Sequence, residues 1–250
     1  MMGTNSLLVK IGTCFIAGLT FAALLLLLGN SGTISWLPPV VVFSLVGISL
    51  IAAFAFPFVW QFKEKRQQEV ASLKVYAFLH AFIRYCIAFN LASFGWKKIL
   101  GLQFVVPLEI ASKPMNELSG EWLTWYYFGH SQTFGFIIAA IQIIGSYLLL
   151  FRRTMLLAAV ILFSFMLNLT LINIFYGMNA GALLQSLVVT VGILFLMLQD
   201  YKRLADFFLK ATSQVPSIAL VRPSIKTTVR LSVIISALLF TIYLKTLSNK

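Results

Sequence analysis

Seven apolar segments, each long enough to cross a bilayer as a helix, constrain the fold of this chain more than any other feature. They cover residues 7–28, 37–60, 75–95, 132–151, 154–176, 182–198 and 227–247. A bilayer core of about 30 Å needs about 20 apolar residues in helical form, and unpaired backbone is not tolerated there. The sequence therefore predicts an all-α fold, a polytopic membrane helix bundle with about seven transmembrane helices.

The composition excludes a soluble globular domain. Of the 250 residues, 60% are hydrophobic and 10% are charged, whereas soluble domains carry about 45–50% apolar and about 25% charged residues. The net charge of +12 is typical of cytoplasmic loops rich in Lys and Arg, so it predicts no nucleic-acid partner. Cys14 and Cys86 lie in different apolar segments without a C-x-x-C pair, so neither a disulfide framework nor a metal site is predicted.

The distribution of basic residues predicts the orientation in the membrane. If the segments 63–74, 152–153 and 199–230 face the cytoplasm, 13 Lys and Arg lie inside and five outside, with Arg84 in the membrane. The opposite orientation reverses that ratio, which the positive-inside rule disfavours. We therefore expect a multi-pass protein of a bacterial inner membrane, with its N-terminus in the cytoplasm and its C-terminus outside.

Four regions follow from this topology. We expect two N-terminal transmembrane helices in 1–62, a basic cytoplasmic loop in 63–74, a four-helix bundle in 75–212, and a cytoplasmic linker with a C-terminal transmembrane helix in 213–250. An outer segment at 96–131 interrupts the bundle and is rich in Trp and Tyr, as interfacial segments are. Within it, Ser119 is predicted to cap a short helix with Glu121 in the first turn.

Arg84 is an ionisable residue inside the third apolar segment, where such residues are rare and costly. At 1.5 Å per residue it lies about 13 Å deep, level with Gln142, and Asn90 and Asn168 are level with each other at about 21–22 Å. These two pairs predict a polar seam centred on Arg84. His80 lies one turn before Arg84 on the same helix face.

Toward the outer end this seam is predicted to continue to Lys97 and Lys98, by way of Asn173, Tyr176, Gln185 and Gln103. Each of these residues could also have a purely structural role instead of binding a ligand. Arg84 can extend toward the headgroups, amides often only bridge helices, and a histidine can simply be packed. No acidic residue falls inside any predicted span, which disfavours a carboxylate proton relay. Haem is disfavoured because His80 and His130 lie near opposite surfaces, and no catalytic motif is present.

Several stretches of the region 84–208 resemble the DoxX-like family of small membrane proteins. They are "RYCIAFNLASFGWKKILGLQF", "GHSQTFGFIIAAIQIIGSYLLLFRRT", "MLNLTLINIFYG" and "DYKRLADFF". The resemblance implies a four-helix core and places Arg84, Lys97, Lys98, Asn168 and the pair 152–153 at pattern positions. Members of that family include a subunit of a thiosulfate:quinone oxidoreductase and proteins tied to thiol or oxidative-stress complexes. Relatives often have a glutamate at the position of Gln142, so the departure here removes an ion-pair partner for Arg84.

Together these observations predict an integral membrane subunit of a redox or envelope complex that binds a lipidic ligand, a quinone or a phospholipid. Its expected ligand-binding residues are Arg84, Gln142, Asn90, Asn168, His80, Lys97 and Lys98. Catalytic residues are not identified; any enzymatic role would be that of a quinone-linked oxidoreductase subunit, with quinone as cofactor. The expected partners are membrane lipid and another protein of the complex. The alternative is a scaffold subunit in which Arg84 only pins the bundle. A transporter is less favoured because no inverted halves or broken helices are seen.

Overall fold

The computed structural model describes residues 6–29, 34, 37–64, 69–210 and 223–248. Every regular element in these ranges is helical, as the composition predicts. The longer helices are α1 (Leu7–Leu28), α2 (Pro39–Glu64), α3 (Glu69–Ile99), α6 (Gln132–Leu150), α7 (Met155–Phe175), α8 (Ala180–Gln199) and α10 (Pro223–Ser248). The shorter ones are α4 (Leu108–Ala111), a 3₁₀ turn at Met115–Glu117, α5 (Gly120–Gly129), and α9 (Tyr201–Ala205) with a π-helical turn at Asp206–Lys210.

Six of these helices are long and apolar enough to cross a membrane. They are Leu7–Leu28, Pro39–Glu64, Ser72–Ile99, Gln132–Leu150, Met155–Phe175 and Ala180–Gln199. The chain is therefore a multi-pass membrane protein, and the prediction of a helical membrane bundle is confirmed to that extent. The seventh predicted span falls in α10, whose apolar part among the described residues is the shorter helix Leu231–Lys245. A seventh crossing stays a prediction.

The chain divides into two compact units, Met1–Leu204 and Ala205–Lys250. The first unit contains α1 to α8. The second contains α10, whose described side chains are exposed along Leu231–Lys245. The predicted basic loop and the predicted linker lie partly outside the described residues, at 65–68 and at 213–222.

In the first unit, α3 is the central helix. It packs against α1, α6 and α8, while α7 packs against α6 and α8, and α2 packs mainly against α1. The core is aliphatic and includes Ile83, Ile87, Leu91, Leu149, Leu162, Ile193 and Leu196. Outward-facing apolar side chains suit a protein surrounded by lipid, and small residues at helix crossings allow the close contacts that hold membrane helices together.

The two ends of this bundle differ in construction. At one end, here called the loop end, the segment 100–131 connects α3 to α6. At the other end α6 and α7 are joined by only the four residues 151–154. Near this short connection Gly145 packs so tightly that a Cβ there would lie 2.6 Å from Leu162 Cδ2. The two helices therefore touch near their connection, and the cavity described below lies toward the loop end.

Candidate functional site

The loop end of the bundle encloses a cavity of about 350 Å³. Its walls come from α3, α6, α7 and α8, with α5 and the residues before it closing the end. Most lining side chains are aliphatic or aromatic. The polar lining residues are Lys98, Thr124, Ser186, Asn90, Asn168, Asn173, Asn179, Gln103, Gln142 and Gln185. Ligand cavities of about 300–1,000 Å³ that are mainly apolar and have a few placed polar groups are the usual form of a small-molecule site.

Aromatic side chains form the roof of this cavity. Phe104 stacks on Phe128 with ring centroids 5.3 Å apart, and Trp125 lies edge-on to Phe104 at 6.2 Å. Phe104 has a positive φ of 64°, a conformation uncommon outside glycine. This conformation is part of the turn that leads from α3 toward the roof, and Phe104 itself lines the cavity.

The roof helix α5 is fastened to the turn between α7 and α8. Its first residue, Gly120, contacts the backbone carbonyl of Tyr176 in a space that no side chain could share. Asn179 Nδ2 also donates a hydrogen bond to Glu121 Oε1 at 2.8 Å. The prediction that Ser119 caps α5 is only half right: Ser119 occupies the N-cap position, but its side chain makes no capping hydrogen bond.

Four lining residues are exposed: Ile137 and Ile141 on α6, Asn168 on α7, and Asn179 in the turn before α8. The first three flank an opening between α6 and α7, here called the mouth, and Asn179 lies at the loop end. Both helices are long and apolar enough to cross a membrane, so the mouth would open toward lipid. Asn168 forms no hydrogen bond with any residue in the part of the chain that the structure describes. An apolar mouth with one unsatisfied amide suits a molecule that enters from the bilayer.

Lys98 contributes the only charge among the lining residues. Its Nζ donates hydrogen bonds to Gln103 Oε1 at 2.8 Å, Gln142 Oε1 at 2.9 Å and the Phe94 carbonyl at 3.3 Å. Side chains on a helix lean toward its N-terminus, and this direction turns Lys98 from the end of α3 back into the bundle. Nζ also lies 5.5 Å from the centre of the Phe104 ring, a cation–π distance.

Amide side chains join the walls behind Lys98. Asn90 Nδ2 on α3 donates to Gln185 Oε1 on α8 at 2.8 Å, and Gln185 Nε2 donates to the Ala23 carbonyl on α1 at 2.8 Å. Asn173 Nδ2 on α7 donates to Ser186 Oγ on α8 at 2.8 Å. These bonds link four helices, so they fix the inner wall of the cavity while the mouth between α6 and α7 stays unbridged by them.

Arg84 lies outside this cavity, near the other end of the bundle. Its Nη2 donates to the Leu150 carbonyl at 3.0 Å, and its Nη1 lies 3.6 Å from Met155 Sδ. The last four carbonyls of a helix lack intrahelical partners, and a cation is favourable at the negative end of the helix dipole. Arg84 therefore satisfies the end of α6 and fixes it to α3. Only 5% of the residue is exposed.

The structure thus separates the predicted site residues into two groups. Asn90, Lys98, Gln142 and Asn168 line the cavity, whereas Arg84, His80 and Lys97 do not. The His80 ring lies 6.2 Å from that of Tyr76, toward the start of α3, and Lys97 Nζ lies 5.4 Å from the Phe94 ring. Gln142, expected level with Arg84, instead bonds Lys98. The predicted seam residues are thus not one contact group: Lys98 and Gln142 meet at the cavity wall, while Arg84 contacts the end of α6. That any of them binds a ligand stays a prediction.

Sequence reasoning missed an ion pair between α1 and α2. Lys10 is fully buried and pairs with Glu64, while its Nζ also donates to Gln61 Oε1 at 2.5 Å and lies 5.4 Å from the Trp60 ring. Glu64 lies beyond the predicted span 37–60, but the helix continues to it, so this carboxylate ends the same helix as the span and reaches Lys10. One signal was present in the sequence: Lys10 stands within the segment 7–28 and needs a partner there.

No family model, curated protein or solved structure matches this chain. The resemblance to the DoxX-like family therefore stays a prediction from the quoted stretches alone. Among the described residues, no three His, Cys, Asp or Glu side chains are grouped so that they could hold a metal ion. The cavity and its polar groups are consequently the basis for any functional conclusion.

Proposed function

We propose that this membrane protein binds a lipidic ligand, a quinone or a phospholipid, in the loop-end cavity. The observation that carries the proposal is the combination of Lys98 and an apolar chamber that opens between two membrane spans. A polar head would lie beside Lys98, Gln142 and Gln103, and an apolar tail would leave between α6 and α7, past Ile137 and Ile141, toward the bilayer. Such a ligand matches both the lining and the direction of the mouth.

The proposal moves the centre of the site from Arg84 to Lys98. Arg84 does not line the cavity, and its two terminal nitrogens contact Met155 Sδ and the Leu150 carbonyl at the end of α6, while its buried Nε has no partner among the described residues. Its contacts are those of a residue that pins helices, which is the observation in favour of the alternative function, a scaffold subunit without a ligand. The scaffold alternative, however, gives no role to a chamber with a lysine and an unbonded Asn168 at its mouth.

The proposal includes the location of the protein, a bacterial inner membrane, and its membership of a larger complex. The distribution of Lys and Arg supports an orientation with the loop end outside a bacterial inner membrane. The DoxX-like stretches support membership of a redox or envelope complex, in which a quinone would be the natural ligand. A bound phospholipid would instead support a role in envelope lipid handling.

A cavity-filling substitution tests the proposal. Ala182 on α8 lines the cavity, so Ala182→Phe would occupy the ligand's space, whereas Ala140→Phe on α6 adds the same volume to an exposed position outside the lining. Proteins purified in a mild neutral detergent would be extracted and their small molecules identified by mass spectrometry. We expect one quinone or phospholipid species in near-stoichiometric amount in the wild type and in Ala140→Phe, and its loss in Ala182→Phe. Equal bulk lipid in all three would contradict the proposal and favour the scaffold.

A further inference from the structure

The charge of Lys98 has no counterion in the cavity. The lining contains neither aspartate nor glutamate, and all three oxygens that accept from Nζ are neutral, two from glutamine amides and one from the backbone. Neutral dipoles satisfy the three N–H donors but leave the net positive charge in place. An uncompensated charge within a membrane bundle is costly, and an anion beside it would remove much of that cost.

The amides around Lys98 are oriented so that they reinforce this positive character. Gln103 and Gln142 each turn their oxygen toward Nζ, which leaves their NH₂ groups as donors. Neither NH₂ group donates to a residue in the described part of the chain, and Asn168 is unbonded there as well. The cavity therefore presents one ammonium and several N–H donors, the set that binds anionic oxygens most strongly.

We infer that the ligand's head group is anionic, a carboxylate or a phosphate ester, carried on an apolar tail. This inference rests on the proposed function and narrows its ligand class. A neutral quinone would accept hydrogen bonds from the same donors but would leave the charge of Lys98 uncompensated. A free soluble anion would match the donors but would leave the aromatic roof and the apolar mouth between α6 and α7 without a partner.

Two adjacent lysines provide a matched test. Lys98 lines the cavity and Lys97 does not, although both are partly buried near the end of α3. Delipidated protein in neutral detergent would be titrated with phosphatidylglycerol and with phosphatidylcholine of identical acyl chains, and bound lipid counted by native mass spectrometry. Wild type, Lys98→Met, Lys97→Met and Ala182→Phe would be compared, with inorganic phosphate as a competitor.

We expect the wild type and Lys97→Met to bind phosphatidylglycerol about tenfold more tightly than phosphatidylcholine, as one hydrogen-bonded charge pair provides. In Lys98→Met this ratio should fall to about one with phosphatidylcholine binding unchanged. Ala182→Phe should lose both lipids, and millimolar phosphate should not displace phosphatidylglycerol. If Lys98→Met does not fold, Lys98→Arg, which retains the charge, should retain the tenfold preference, and its loss would count against the inference.

The possible failures are distinct. Equal binding of both lipids in the wild type, lost in Ala182→Phe, would overturn the anionic head group while leaving the lipidic ligand in place. A preference that persists in Lys98→Met would place the anion elsewhere and overturn the inference in the same way. If neither lipid binds in a way that Ala182→Phe reduces, the inference is overturned, and so is the phospholipid ligand in the proposed function. Displacement by phosphate alone would show that the site takes a soluble anion and would overturn both.

Discussion

Lys10 and Lys98 are both lysines within membrane spans, yet only Lys10 has a carboxylate beside its ammonium group. Lys10 is fully buried and has a carboxylate partner, Glu64, together with an amide oxygen from Gln61. Lys98 is partly buried and has amide and carbonyl oxygens only. The positive charge of Lys10 is therefore balanced by a negative charge of the protein, whereas that of Lys98 is not.

This difference separates a structural cation from one that is available to a ligand. Lys10, paired with Glu64 between two packed helices, gains little from a further anion, and the pair joins α1 to α2 near the start of the chain. Lys98, whose acceptors are all neutral and which lies at the wall of an open cavity, would still be stabilised by an anionic ligand. Single-atom exchanges between acid and amide can convert each environment into the other, so the comparison can be tested directly.

The largest effect is expected from Glu64→Gln, which gives Lys10 an environment like that of Lys98. Removing one member of a buried ion pair typically costs about 3–5 kcal/mol, because the other charge is left uncompensated. We expect a loss of about 3 kcal/mol in the free energy of unfolding, measured by titration with a denaturing detergent and followed by circular dichroism. Lipid retention in the cavity should not change.

The double variant Lys10→Met with Glu64→Gln is the control for this prediction. It removes both charges and leaves a neutral pair, so most of the lost stability should return. A double variant as unstable as Glu64→Gln alone would show that the pair contributes through packing rather than charge, and the contrast between the two lysines would lose its basis.

Arg84→Leu should have a smaller effect on stability and none on the ligand. It removes a charged hydrogen bond to the Leu150 carbonyl, which contributes about 1.5–3 kcal/mol. The unfolding titration should register a loss of that size, while the lipid bound in the cavity stays the same. If Arg84→Leu lost the bound lipid while its free energy of unfolding stayed unchanged, Arg84 would be a ligand-binding residue, contrary to this prediction.

The smallest effect on stability is expected from Gln142→Glu, which gives Lys98 a carboxylate and makes it resemble Lys10. Lys98 is only partly buried, whereas position 142 is buried, so the cost of burying the new carboxylate offsets much of the attraction. We expect a gain of no more than about 1 kcal/mol in the free energy of unfolding. The functional effect should be larger, because Lys98 no longer needs an external anion. The preference for phosphatidylglycerol over phosphatidylcholine should disappear, and its persistence would contradict the role assigned to Lys98.

Hydrophobicity predicts most of this fold because membrane helices are long and continuous. The six spans, the loop-end segment and the positions of Asn90, Gln142 and Asn168 in membrane helices all follow from the apolar pattern. The partners of these residues do not. Counting 1.5 Å per residue from each helix end gives the height of a Cα, but Arg84 and Lys98 reach toward the start of α3. Gln142 therefore meets Lys98 and not Arg84.

Lys10 and Glu64 show a second reason why sequence alone was insufficient. A lysine at the start of an apolar segment and a glutamate in a basic stretch both look like loop residues when helix ends are placed where hydrophobicity falls. In the structure α2 continues to Glu64, so the two charges meet at the side of a helix hairpin. Their pairing depends on the end of α2 and on the crossing with α1, and neither is encoded in a local pattern.

The attachment of α5 to the end of α7 has a mechanical consequence. Gly120 lies against the Tyr176 carbonyl, and Glu121 is bonded to Asn179, while residues 130–131 alone join the other end of α5 to α6. The aromatic roof is therefore held by both helices that flank the entrance. A guest that separated α6 from α7 on entry would have to strain or release one of these two attachments.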